Sequence, residues 1–367
     1  MNNLSSNQNL RIRILFGCGG TGGHIFPAIA LAQEFKKLGN EVMFIGNRGG
    51  MEEHIVQEEG FPLRAIKVQK LYRKFNPANL LFPFRLASSW LESKKIMKDF
   101  KPDAVICTGG FVSGPVGLAS IIMKIPLYLH ESNSYPGLTT KFLAPHSRIT
   151  FTVYDKTKSF LKKSRVQKVG VPLAEKKEKA TLSSLTEIGL NPEKTVILVT
   201  GGSQGSQAIN SVIAETLPQI IKRDWQLIWQ TGKQGYSNYA NKFSNLSGVY
   251  IFDFSPLLSS FYRFATLAIT RAGAITIAEL EANAVPAILI PLPTAAENHQ
   301  FYNAREQEKK GVAILLPQAE LNTQTLLNSM DKILNNYDFY KNNLESLPPN
   351  TAKQDIIQAI LKDLGKE

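Results

Sequence analysis

Cysteine is nearly absent from this chain of 367 residues: there are two, Cys18 and Cys107. Two thiols cannot build a disulfide framework, and neither lies in a CxxC or Cys/His spacing that would hold zinc. A reducing compartment suits such a chain. Long hydrophobic runs are missing too. The longest, residues 111–129, is broken by Gly114, Pro115, Lys124 and Pro126. It reads as a helix followed by a buried strand, not as a membrane span. Residues 1–10 are polar and lack the apolar stretch of a signal peptide. There is no short-period repeat and no low-complexity tract. Acidic residues are scarce in the first half: residues 1–180 hold 27 Lys and Arg against 13 Asp and Glu, and residues 181–367 hold 15 against 17. The formal net charge of +12 therefore resides in the first half. A basic half points to an anionic partner, whether nucleic acid, phosphorylated substrate or acidic lipid; for any single cluster a solvated basic face is the simpler reading.

What is present is ordinary globular material, 43% hydrophobic and 20% charged, in a length that suits two domains. Strand and helix signals alternate. Strands are expected at 12–16, 42–45, 63–68, 104–107, 127–129 and 149–153, with helices at 25–38, 51–59 and 86–100. The pattern fails over the Lys-rich stretch 156–182, where a domain boundary is expected. It restarts with strands at 195–200, 227–230, 249–252, 267–270 and 287–290, and helices at 208–221, 256–264, 275–283, 298–310, 323–334 and 352–364. The fold class is α/β: two Rossmann-like, doubly wound parallel domains, with a ligand cleft expected between them.

Each half opens with strand, glycine loop and helix. The first loop is Gly17-Cys18-Gly19-Gly20-Thr21-Gly22-Gly23-His24, a spacing whose backbone N–H groups and helix dipole can hold a phosphate. Gly17, Gly19 and Gly22 also satisfy GxGxxG, so a dinucleotide site is considered. The acid that would hold an adenosine ribose is missing after strand two, where Asn47-Arg48 stands, and Arg48 would suit a 2′-phosphate. His24, near a positive helix terminus, reads equally as a neutral general base or as a packed, capping histidine. Gly109-Gly110 is a second glycine turn, and two such loops suit a diphosphate. His130-Glu131-Ser132-Asn133 ends another strand, where ligand crevices form. In the second half, residues 201–205 resemble a further phosphate loop, and Arg271-Ala272-Gly273 leads into a helix. Glu279 on that helix either reaches a ribose diol or compensates the helix dipole. Asn298-His299-Gln300 opens another helix.

Taken in order, Gly19–Pro27, Gly109–Pro115, His130–Asn133, 201–205, Arg271–Glu279 and Asn298–Gln300 resemble the MurG family of peptidoglycan N-acetylglucosaminyltransferases over residues 11–365. The resemblance implies a fold of the GT-B type, with an acceptor- and membrane-binding domain at 1–170, a UDP-GlcNAc-binding domain at 171–345, and a C-terminal helix at 346–367 packing back on the first. It implies inverting transfer of GlcNAc from UDP-GlcNAc to the C4 hydroxyl of MurNAc in undecaprenyl-diphospho-MurNAc-pentapeptide, without cofactor or metal, at the cytoplasmic face of the bacterial inner membrane. His24 is the base candidate. Thr21, Gly22, Gly23 and Asn133 match first-domain donor contacts. Ser203, Ala274, Ile275, Thr276, Ile277, Ala278, Glu279 and Gln300 match second-domain ones, with Ser203 on a phosphate, Glu279 on the ribose and Ser255 reaching uracil through its backbone. The family often reads Asn-Pro-Val-Arg where this chain has Val171-Pro172-Leu173-Ala174, Gln where Ser132 sits and Tyr where Phe111 sits. Arg165, Lys168 and Lys176 are the cations available to replace the missing arginine.

An anionic membrane surface is the expected partner of Lys67, Lys70, Arg73, Lys74 and Arg85 around Leu80, Leu81, Phe82, Phe84 and Trp90; the alternative places these aromatics in the core. The rival functions are an NADP-dependent oxidoreductase using the first loop and a basic nucleic-acid-binding protein. The second lacks aromatic-basic modules, so no nucleic acid is expected.

Overall fold

The computed structural model describes residues 11–69, 80–175, 183–202, 204–255 and 258–366. The expectations for residues 1–10, Lys70, Arg73, Lys74, Lys176, Ser203 and the helix start at 256 lie outside the described residues. The chain forms two compact units, one reaching to Glu175 and resuming at Asn350, the other running from 176 to 349.

The first unit holds β1 (Arg13–Cys18), α1 (Gly22–Lys37), β2 (Glu41–Asn47), α2 (Met51–Glu58), β3 (Leu63–Ile66), α3 (Phe82–Phe100), β4 (Ala104–Gly109), α4 (Ser113–Ile122), β5 (Leu127–Glu131), α5 (Leu138–Leu143), β6 (Ile149–Thr152) and β7 (Val166–Lys168). Its sheet runs β3-β2-β1-β4-β5-β6-β7 and every pair is parallel. The order reverses between β1 and β4, so the connections leaving their C-terminal ends run to opposite sides, the place where a crevice forms in such sheets. β1, β2, β4 and β5 are almost continuously buried, as sheets covered on both faces require. Phe16 stacks on Phe44 with ring centroids 5.0 Å apart, in a core that includes Ile14, Ile29 and Phe35.

The second unit repeats the design with β8 (Val196–Thr200), α6 (Gln207–Lys222), β9 (Gln226–Gln230), α7 (Tyr236–Phe243), β10 (Val249–Phe252), α8 (Leu258–Tyr262), β11 (Leu267–Thr270), α9 (Ala274–Ala282), β12 (Ala287–Leu289), α10 (His299–Lys309), β13 (Ala313–Leu315), α11 (Thr323–Leu334) and α12 (Tyr337–Glu345). Its order is β10-β9-β8-β11-β12-β13, again all parallel. The last helix, α13 (Ala352–Asp363), belongs to the first unit. It sends Ile356, Ile357 and Ile360 into that core, and Asp363 accepts a hydrogen bond from the buried Tyr128 hydroxyl at 2.7 Å.

The structure departs from the sequence reading in informative places. α1 begins at Gly22, not at 25, so Gly22 and Gly23 are its first helical residues. α3 begins at Phe82, with Pro83 in its first turn, rather than at 86; proline is accepted there because the first helical N–H groups lack partners anyway. β7 lies inside the stretch read as patternless, and β13, α7 and α12 were not anticipated. No helix among the described residues is long and apolar enough to cross a membrane.

Candidate active site

In the first unit the crevice is walled by two glycine turns in contact. Gly110 has φ +80°, and a Cβ there would collide with the Gly19 carbonyl oxygen and crowd the His24 ring. Gly109, at φ +107°, lies against the same ring. Only glycine meets both demands, a left-handed backbone and a missing side chain. His24, half-buried in the first turn of α1, donates from Nδ1–H to the Thr108 carbonyl at 3.1 Å. A carbonyl only accepts, so this bond fixes the tautomer and puts the ring's lone pair on Nε2. The Thr108 hydroxyl donates back to the His24 carbonyl at 2.6 Å, which locks the start of α1 to β4. Thr21 precedes the helix in extended conformation and its hydroxyl makes no capping bond. The α1 N-terminus therefore points bare N–H groups outward past two glycines, a ready anion site.

His130 is a different histidine. It is fully buried; Nε2–H donates to Gly170 O at 3.3 Å, and the Ser132 hydroxyl donates to Nδ1 at 3.3 Å. Burial pushes its pKa down to about 4, so it stays neutral and structural. The neighbouring Glu131 carboxylate, 3% exposed, accepts from the Asn133 backbone and side-chain amides at 3.1 Å each, from Gly137 N at 3.0 Å and from the Thr140 hydroxyl at 2.8 Å. It fixes Asn133 beside the crevice.

Sequence reasoning missed Glu52. In α2 it read as one acid among several, yet it is wholly buried beneath the first glycine loop. Its carboxylate accepts from Asn47 N at 2.9 Å and Gly20 N at 3.3 Å. A Cβ on Gly19, Gly46 or Gly50 would strike it; the glycines clustered around that acid are the signal in hindsight. Glu52 also weakens the dinucleotide reading, because a loop amide meant for pyrophosphate is already engaged by a carboxylate. Arg48 pairs with Glu92 at 3.9 Å.

In the second unit the loops after β8, β11 and β12 are tied by one side chain. Arg271 donates to Ser206 Oγ and Gln318 Oε1 at 2.7 Å each, and to the Ile290 and Pro291 carbonyls at 3.1 Å each. Its guanidinium is consumed by scaffolding. Gly205 N donates to Gly202 O at 2.9 Å, and Gln230 Nε2 donates to the same oxygen at 3.0 Å. Ser206 caps α6 by accepting from Ile209 N at 3.4 Å. Ser206 thereby satisfies one N–H of the α6 terminus. At α9, Gly273 offers no side-chain cap to the N–H groups of Ala274, Ile275 and Thr276. Ile277 and Ala278 are buried and anchor the helix. Glu279 lies one turn further, half-exposed. Gln300 turns its carbonyl oxygen to Leu292 N at 2.9 Å, which orients the amide nitrogen as the remaining donor. The Ser255 carbonyl accepts from Leu258 N at 3.3 Å.

Of the cations available to replace the missing junction arginine, Arg165 pairs with Asp363 at 3.5 Å and Lys168 with Asp155 at 2.5 Å, while Ala174 packs against the first-unit core.

Two doubly wound units, each matching a glycosyltransferase domain, place the chain in the glycosyltransferase class. Residues 14–151 match the glycosyltransferase family 28 N-terminal domain and residues 196–360 the family's C-terminal domain. The UDP-N-acetylglucosamine--N-acetylmuramyl-(pentapeptide) pyrophosphoryl-undecaprenol N-acetylglucosamine transferase of Lactobacillus gasseri is 36% identical over 90% of this chain and 92% of its own. The protein of the same name from Halothermothrix orenii is 38% identical over 88% and 91%. The crystal structure of Acinetobacter baumannii MurG superposes with TM-score 0.76 at 25% identity, over 96% of this chain and 99% of that one. A kitacinnamycin glycotransferase, at 15% identity and TM-score 0.75 over 96% and 99%, shares the fold alone. The chain belongs to this family of N-acetylglucosamine transferases.

Proposed function

We propose that the chain transfers GlcNAc from UDP-GlcNAc to the C4 hydroxyl of MurNAc in undecaprenyl-diphospho-MurNAc-pentapeptide, with inversion at the anomeric carbon. The observation that carries the chemistry is the His24 tautomer. Nε2 accepts the C4 hydroxyl proton, the oxygen attacks the GlcNAc anomeric carbon, and the bond from that carbon to the β-phosphate oxygen breaks, so UDP leaves as the anion. In the second unit, the bare α9 terminus meets the negative charge that grows on the diphosphate. Glu279 takes the ribose hydroxyls, Gln300 donates its amide N–H to the donor, and Ser203 and the Ser255 backbone keep the phosphate and uracil roles implied by the resemblance. In the first unit, Thr21, Gly22, Gly23 and Asn133 line the reacting groups. Transfer of radiolabel from UDP-GlcNAc to a lipid-linked MurNAc-pentapeptide tests the reading, with UDP-GalNAc as control. Label appearing equally from both donors, or from neither, refutes it.

The acceptor's lipid stays in a bilayer, so the enzyme docks peripherally on the cytoplasmic face of the bacterial inner membrane. The start of α3 supports this, since Leu80, Leu81 and Phe84 are 79%, 50% and 75% exposed beside Arg85 and Lys67. Trp90 is partly buried and packs against the first-unit core. Each basic side chain close to anionic lipid contributes about 1 kcal/mol. Phe84→Ser with Arg85→Glu is expected to lower partitioning onto phosphatidylglycerol vesicles by roughly tenfold or more, with transfer to a short-chain water-soluble acceptor unchanged. Sedimentation with vesicles measures it; partitioning that ignores both the substitutions and salt removes the docking surface.

A further inference from the structure

Tyr262 closes α8, and its ring is wholly buried among Phe252, Phe261, Ala272 and Leu280. Its hydroxyl has no exposed surface, and no described neighbour completes an aligned hydrogen bond to it. The polar groups next to it are the Glu279 carboxylate and the Thr276 hydroxyl, one turn apart on α9. A buried hydroxyl left in that condition costs stability, and phenylalanine would fill the same space without the cost. Packing therefore does not explain the oxygen. We infer that Tyr262 is a positioning residue for donor selection: its hydroxyl braces the Glu279 carboxylate from the core side, so that the other side of the carboxylate meets the 2′,3′-diol of the donor ribose.

Burial first, and the carboxylate next, push the Tyr262 ionisation well above that of an ordinary phenol, so the group keeps its proton and remains a donor. A carboxylate has lone pairs enough to accept from the phenol on one side and from sugar hydroxyls on the other. The inference rests on the reading of Glu279 as the ribose ligand.

The test compares kcat/KM of the full chain for UDP-GlcNAc and for its 2′-deoxy analogue. The unsubstituted enzyme is expected to prefer the ribose form by about 10–100-fold, the range of a hydrogen bond to a charged group. Glu279→Ala abolishes the preference. Tyr262→Phe shrinks it about tenfold through KM for the donor, leaves kcat near its starting value and does not lower the melting temperature. The double substitution discriminates no worse than Glu279→Ala alone, because both act on one contact. If Glu279→Ala alters the preference while Tyr262→Phe leaves it intact, the bracing role is overturned and the ribose reading stands. If Glu279→Ala leaves the preference intact, the ribose reading falls and the inference falls with it.

Discussion

Replacing His24 with alanine is expected to lower kcat by about 10²–10⁴-fold, the usual worth of a positioned general base, with KM for UDP-GlcNAc changed little. The split between the two constants follows from geometry. His24 belongs to the first unit, where its Nδ1–H is spent on Thr108 O, so only Nε2 is chemically fit to take a proton. The donor contacts at α9 are untouched by the substitution. The sign with pH is also fixed. Protonation of Nε2 removes the lone pair, so activity of the unsubstituted enzyme falls on the acid side, and His24→Ala flattens that limb. The fully buried His130, already held down to about 4 by burial, does not supply a titration in the neutral range. Steady-state kinetics between pH 5.5 and 8.5 decide the matter. A kcat within twofold of the starting enzyme, or an unchanged acid limb, assigns the proton to another group.

The parts of this site that were legible in the sequence are those where the backbone itself is the functional element. The first glycine loop, the Gly109-Gly110 turn and the strands before them announce themselves because β-branched runs ending in consecutive glycines have few other uses. Side-chain consequences were less legible. Glu52 looks like a solvent-facing acid at a helix start, and only tertiary packing shows it buried under the loop. The Ser206 cap on α6 and the hold of Arg271 on Ser206 are likewise invisible until side chains are placed. A sequence cannot say whether a helix N-terminus is already satisfied. β7 and β13 escaped notice because each is an edge strand of three residues, too short for periodicity to register. Trp90 shows the same limit from the other side. A tryptophan beside exposed Phe84 on one helix looks like a membrane anchor, yet the helix turns it onto Met97 and the inner face.

The stability of the first unit's crevice depends most on one carboxylate. Glu131 ends β5 and stands at the mouth of α5, a helix of six residues that is too short to hold itself. One of its oxygens accepts both amides of Asn133, and the other accepts Gly137 N and the Thr140 hydroxyl, so the side chain ties the start of α5 to the end of β5. A negative group at that terminus also complements the helix dipole. Glu131→Ala strands four donors in a site only 3% exposed. Hydrogen bonds to a charged group are worth about 1.5–3 kcal/mol each and do not add fully, so a loss of about 3–5 kcal/mol is expected. Two-unit chains seldom unfold in one step, and a single melting point would blur the effect. Amide hydrogen exchange resolves it: protection across residues 127–143 is expected to fall by about 150- to 5,000-fold, the same free energy expressed as an opening constant, while β8, β9 and β11 keep theirs. Glu131→Gln, which retains an accepting oxygen of the same shape, loses roughly half as much. Because Asn133 is released in both variants, transfer activity falls with the loss of protection, and in the same order. Unchanged exchange at Gly137 and Thr140 in the alanine variant would show that α5 is held by its packing on α4 and not by this carboxylate.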